Sequence, residues 1–173
     1  LLSFGALHLF LFRQPTTAIM KFSLFALMAA TCATSSVAEV YFKEQFNDDA
    51  WTERWTESSK WKPKAEMGKW KHTAGEWYAD AEDKGIQTSE DARFYGLSAK
   101  MEKPFVSGDK PLVIQYSVKH EQNLDCGGAY IKLLPGGDKF DSESFGGDTP
   151  YAVMFGPDVC GTSNKKTHVI FHY

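Results

Sequence analysis

The sequence predicts an all-β protein built as an antiparallel β-sandwich. Three observations carry that reading. Short runs alternate apolar and polar residues with the period of two that strand geometry imposes. Clusters rich in glycine, proline and aspartate separate those runs at short intervals. No convincing helical stretch and no internal repeat interrupt them. A chain of 173 residues, 43% hydrophobic and 24% charged, is long enough for one domain with a real core.

The elements follow in order. "EVYFKEQF" (39–46) alternates, with Val40 and Phe42 on one side. "GKWKH" (68–72) and "GEWYAD" (75–80) are short, glycine-led strand candidates. "ARFYGLSAKM" (92–101) fits a strand ended by Pro104. "PLVIQYSVKHEQ" (111–122) is the longest clean alternation, and "GGAYIKLL" (127–134) follows at once. "YAVMFG" (151–156) and "KTHVIFHY" (166–173) are two more strands. Turns are expected at "SGDK" (107–110), "PGGD" (135–138), "GGDTP" (146–150) and "GTSNKK" (161–166). Aromatic content is high, at 14%, and all five tryptophans crowd into residues 51–77. Such residues suit β-structure and also carbohydrate surfaces.

The first 38 residues read differently. Met20 and Lys21 open a short basic region, and Phe22 to Ala33 give an apolar run of signal-peptide length. Ser36, Val37 and Ala38 place small residues at the −3 and −1 positions, so cleavage is expected after Ala38. Residues 1–19 read as an upstream extension outside the fold. "RQPTT" (13–17) separates the two apolar runs, so no continuous membrane span of about 20 residues exists. The expected organisation is an extension at 1–19, a secretory signal at 20–38 and one domain at 39–173.

From Glu39 onward the chain carries 17 basic and 22 acidic residues, a charge of −5. That balance suits a bound cation and shows no basic patch for nucleic acid. Cys126 and Cys160 are the cysteines of this part, an even pair expected to be oxidised in the secretory pathway. No second cysteine lies at the short spacing of a redox or zinc motif. His168 and His172 share a strand face but stand about 13 Å apart, too far to share a metal.

Alternation in "DCGGAYIKLL" (125–134) sends Ala129, Ile131 and Leu133 to the core, and Tyr130 and Lys132 outward. On alternation alone this is an ordinary solvated face. A Cys126–Cys160 bridge would bring "YAVMFGPDVCG" (151–161), with Tyr151, Met154 and Asp158, towards that face. Aromatic rings cover the C–H face of a pyranose, while carboxylates and ammonium groups pair with its hydroxyls.

"KHEQNLDCGGAYIKLL" (119–134) and "VMFGPDVCG" (153–161) resemble the two signature blocks of the calreticulin/calnexin family. "VYFKEQF" (40–46), "DKGIQTSEDARFYGLSA" (83–99) and "KKTHVIF" (165–171) extend the resemblance over essentially all of 39–173. These segments lie closer to the calreticulin branch than to calnexin. The resemblance implies a legume-lectin-like (concanavalin-like) β-sandwich, of which this chain holds the N-terminal portion. It also implies a calcium-binding lectin chaperone of the endoplasmic reticulum that binds monoglucosylated N-glycans on unfolded glycoproteins. The implied carbohydrate contacts are Tyr130, Lys132, Tyr151, Met154, Asp158 and Ile170, with Cys126 and Cys160 as the disulfide. The implied Ca²⁺ ligands are Gln45 and the backbone carbonyls of Glu82 and Lys84. A proline-rich arm that recruits an oxidoreductase of the protein-disulfide-isomerase family would lie outside these residues. So would the remaining strands, an acidic tail and a KDEL-type retention signal.

Two other functions remain open on sequence grounds. One is a secreted or surface protein that interacts with host or immune components. The other is a glycoside hydrolase using Asp125 and Asp158, though neither sits in a paired-acid strand motif. No nucleophile–base motif is visible, so a non-enzymatic role is expected.

Overall fold

The computed structural model describes residues 2–11, by backbone alone, together with 39–109, 111–137 and 139–172. The expected all-β antiparallel architecture is present. In chain order the strands are β1 Leu2–Leu11, β2 Glu39–Glu44, β3 Trp55–Glu57, β4 Trp70–Thr73, β5 Gly85–Thr88 and β6 Leu97–Ala99. They continue as β7 Val113–His120, β8 Cys126–Gly128, β9 Ile131–Leu133, β10 Val153–Cys160 and β11 Asn164–Phe171. One helical turn, α1 (Trp51–Arg54), and a 3-10 turn at Ser142–Ser144 complete the set.

Among the described residues three sheets organise the strands, and the strand pairs are antiparallel. β1 lies inside the first sheet. β5 pairs with its Ser3–Phe4 end, β2 pairs along Leu7–Leu11, and β7 runs opposite both. β4 completes this sheet against β5. The second sheet places β11 and the β8/β9 pair on opposite sides of β10. β3 and β6 form a separate ribbon.

Leu2–Leu11 is therefore paired, although the sequence places it outside the fold. A long run of β-prone apolar residues supplies backbone donors and acceptors to edges of β2, β5 and β7 that would otherwise lack them. The signal-like segment 20–38 lies outside the described residues. Among the described residues no helix is long and apolar enough to cross a membrane.

The core forms where α1 meets the first sheet. Phe46, Trp51 and Ile86 are buried, and Trp55, Trp70 and Leu97 pack against them. Three of the clustered tryptophans thus serve packing and not a carbohydrate surface. Glu44 is buried at the centre of this region, 5% exposed. Its carboxylate accepts from the N–H groups of Gln45 and Phe46, from Arg54 Nε and from Trp55 Nε1. Burial alone would push its pKa up; the donors from Arg54, Phe46 and Trp55 override that and hold it at about 2. Phe46 has φ +57, a left-handed conformation that a bulky side chain enters at a cost. Its N–H is held by Glu44, and its carbonyl lies 2.5 Å from His72 Nε2.

"GEWYAD" is not a strand. Gly75 adopts φ +86, and Lys119 Nζ donates to the carbonyls of Ala74 and Trp77, each at 2.8 Å. Those contacts fold the segment into a loop that leaves Trp77 and Tyr78 exposed. "YAVMFG" underestimates its strand, since β10 continues through Pro157 to Cys160. Pro157 stays in the ladder opposite Thr167 of β11, and on its other side its carbonyl accepts from the Ala129 N–H at 3.0 Å. "ARFYGLSAKM" contracts to β6, with only a bridge from Phe94 to Met67 upstream of it.

Candidate carbohydrate face

Cross-strand register decides which side chains share a face. Met154 on β10 stands opposite Lys132 on β9 and Ile170 on β11. Two residues on, Gly156 stands opposite His168, and Asp158 stands between Gly128 and Lys166. With a period of two, Lys132, Met154, Ile170, His168, Asp158 and Lys166 therefore lie on one side of the sheet. Phe155, Ile131 and Val169 lie on the other. Phe155 and Val169 border a groove of about 220 Å³ together with Leu112, Ile114, Val153 and Phe171.

"GGAYIKLL" is not one continuous strand. β8 and β9 are separated at Ala129 and Tyr130, opposite Gly156. Gly156 has φ +156, and a Cβ there would fall 2.1 Å from the Ala129 carbonyl oxygen. Only glycine admits this approach. Ala129 donates to Pro157 O at 3.0 Å and accepts from the Tyr116 hydroxyl at 2.9 Å. Burial of that Tyr116 phenol raises its pKa to about 12, so it remains a donor.

The register carries across this gap, so Tyr130 stands opposite Gly156, on the side of the sheet that holds Asp158. Its hydroxyl donates to Asp158 Oδ2 at 2.5 Å, and its ring centroid lies 6.2 Å from His168. Burial first, then the Asp158 carboxylate, raises the phenol's pKa. Gly128 serves this placement, because a Cβ there would lie 2.6 Å from the Tyr130 ring. Gly127 has open space around it, so only one of the paired glycines is sterically required.

Lys132 is held differently from the outward, solvated side chain that alternation implies. Its ammonium donates to the carbonyls of Gly146 (2.9 Å), Gly147 (2.7 Å) and Thr149 (3.1 Å). It also stands 5.2 Å above the Tyr151 ring. Burial lowers its pKa, with Asp148 opposing. Tyr151, Lys132 and the 146–149 turn form one unit, and Tyr130 with Asp158 forms a second. Met154 stands beside Lys132, and Ile170 lies across the sheet from Met154.

Cys126 and Cys160 are bonded and stand opposite each other in the β8–β10 ladder, with Cα atoms 4.0 Å apart. The bridge fixes the end of the sheet at which Asp158 sits. Asp125 borders an open depression of about 730 Å³ beside the bridge, lined also by His120, Val159 and Lys165. None of Tyr130, Lys132, Tyr151 or Asp158 lines that depression. The Asp158 carboxylate accepts from the Tyr130 hydroxyl, while Asp125 lines the depression that Asp158 does not.

Two features of the face are not among the site residues read from the sequence: His168 beside Tyr130, and the Gly146, Gly147 and Thr149 carbonyls that seat Lys132. His168 lies two residues before Ile170 on one strand, so the period of two carried its signal. The carbonyl seat is backbone, which no residue type announces.

For calcium, Gln45 is exposed at the end of β2. Asn47 Oδ1 accepts from the Lys84 N–H at 3.2 Å, which sets the chain after Gln45 beside the 82–84 turn. The Glu82 carbonyl accepts from the same N–H at 3.0 Å and keeps a second lone pair. Oxygens of this kind fit Ca²⁺, though three are fewer than the usual six to eight. Among the described residues no group of three or more His, Cys, Asp or Glu could hold a metal.

Comparison with known proteins places the sequence and the fold. The Calreticulin family profile matches residues 42–173. Calreticulin of Onchocerca volvulus is 49% identical over 155 residues, covering 89% of this chain and 38% of that protein. Calreticulin of Oryctolagus cuniculus is 57% identical over 136 residues, covering 78% of this chain and 31% of that protein. The chain thus spans about a third of the length of these relatives. Among solved structures, the T. cruzi calreticulin globular domain superposes with a TM-score of 0.67 at 48% identity, over 77% of this chain and 47% of that one. On the profile match and these identities, the chain belongs to the calreticulin family.

Proposed function

We propose that this chain supplies the sugar-binding face of a calcium-binding lectin chaperone, recognising monoglucosylated N-glycans on unfolded glycoproteins in the endoplasmic reticulum lumen. The observation that carries the reading is the row of side chains on one side of β8–β11. Tyr130 and Asp158 offer a hydroxyl and a carboxylate joined at 2.5 Å. Lys132 and Tyr151 offer an ammonium over an aromatic ring. Met154 and Ile170 add an apolar floor. A pyranose presents hydroxyls for the first groups and C–H bonds for the rings and the floor.

Ca²⁺ would be held by Gln45 and the carbonyls of Glu82 and Lys84, with further oxygens from water or protein. There it would cross-link the end of β2 to the turn before β5. An oxidoreductase of the protein-disulfide-isomerase family would be recruited through residues beyond this chain. Entry into the secretory pathway would use residues 20–38, with cleavage after Ala38. That cleavage would also remove β1. N-terminal sequencing of lumenal protein decides between a start at Glu39 and a chain that keeps this strand.

The test is glycan binding by Tyr130→Ala and Lys132→Ala variants, with circular dichroism to follow the fold. Loss of binding with the β-spectrum retained is the expected result. Unchanged binding in both variants overturns the reading.

A further inference from the structure

The five tryptophans are not exhausted by the core. Trp51, Trp55 and Trp70 pack in it, and Trp77 is exposed. Trp61 does neither. It lies half-buried against the Gly146–Gly147 turn. A Cβ at Gly146 would come within 2.2 Å of its indole, and one at Gly147 within 3.4 Å. The Trp61 and Phe94 rings meet edge to face with centroids 5.3 Å apart, and Lys62 Nζ stands 4.8 Å from the Phe94 centroid. The preceding residues are docked along the same segment. Lys60 N–H donates to Glu143 O at 2.9 Å, and Ser59 Oγ donates to Glu143 Oε1 at 3.0 Å. Lys60 Nζ pairs with the Glu143 carboxylate at 2.5 Å.

The two glycines under Trp61 are the ones whose carbonyls receive Lys132. The turn is closed by Thr149 N–H to Gly146 O (3.2 Å) and Gly146 N–H to Thr149 Oγ1 (2.8 Å). Trp61 therefore acts on the carbohydrate face at one remove. We infer that Trp61 is a positioning residue for that face: it fixes the Gly146–Thr149 turn so that three carbonyls hold the Lys132 ammonium over Tyr151. This role rests on the proposed sugar site, but the placement of Lys132 is measurable without any sugar.

The experiment uses acylation of lysines by an N-hydroxysuccinimide ester, read residue by residue by peptide mass spectrometry, in wild type, Trp61→Ala, Trp61→Phe and Gly146→Ala. Lys119 is the internal control. It is also held by backbone carbonyls, those of Ala74 and Trp77, and it lies on β7. In Trp61→Ala and Gly146→Ala, Lys132 should react roughly three- to ten-fold faster, as loss of one aromatic contact allows, while Lys119 stays protected. Trp61→Phe should restore most of the protection. Binding of a monoglucosylated oligosaccharide should weaken by a similar factor in the same variants. Unchanged Lys132 reactivity overturns the inference. So does a joint rise at Lys132 and Lys119, because that reports general loosening. Absent sugar binding in wild type would instead remove the proposed function and leave the acylation result to decide on Trp61.

Discussion

Tyr130 and Asp158 meet at 2.5 Å across a break in the sheet, hydroxyl to carboxylate. Two glycines make that meeting possible. Gly156 admits the Ala129 carbonyl, and Gly128 leaves room for the Tyr130 ring.

Replacing Tyr130 with Phe removes the donor and keeps the ring. Glycan affinity should fall, because the hydroxyl offered to the sugar is gone and the Asp158 carboxylate loses the donor that holds it, a bond of about 1.5–3 kcal/mol. Because burial and Asp158 raise this phenol above its ordinary 10.0, it stays a protonated donor through that pH. Titration calorimetry of the variant checks the first point, and ultraviolet titration of the phenol checks the second.

The disulfide joins β8 to β10 over a sequence separation of 34 residues. In the chain-entropy account it stabilises the fold by about 3–4 kcal/mol. A Cys126→Ser, Cys160→Ser double variant should unfold at correspondingly lower denaturant, measured by tryptophan fluorescence. Glycan binding should also weaken, since Asp158 lies two residues from the bridge.

Glu44 makes stability depend on acid. Its folded pKa of about 2 lies below its ordinary 4.5. Its contribution is therefore present above about pH 4.5 and is lost as pH falls from there towards 2. Glu44→Gln should cost about 2–4 kcal/mol at neutral pH, because Arg54 and Trp55 lose a buried charged acceptor. The variant's stability should also be flatter across that acid window than the wild type's, as chemical denaturation at a series of pH values would show.

Calcium should raise the melting temperature, and Gln45→Ala should reduce the rise. Differential scanning calorimetry with and without a chelator measures both. No calcium-dependent shift in wild type would remove the proposed site.

The sequence revealed the strand-rich architecture because alternation survives in β7, β9, β10 and β11, whose two sides face different surroundings. It revealed the pairing of Cys126 with Cys160 because only two cysteines follow residue 38. The loop at "GEWYAD" was hidden, since Lys119 lies more than forty residues away and captures the backbone there. The fate of Lys132 was hidden for a related reason. Alternation fixes the side on which a side chain leaves the strand, but not the carbonyls that meet its far end. β1 was hidden because an apolar leader and an apolar strand share one composition.

Titration of the wild-type protein with two oligosaccharides that differ only in the terminal glucose tests the sugar-binding role of the β8–β11 face most directly. Saturable binding of the glucosylated form, lost in Tyr130→Ala, with no comparable binding of the form without glucose, is the expected result. Equal affinity for both, or binding that survives in Tyr130→Ala, would contradict it.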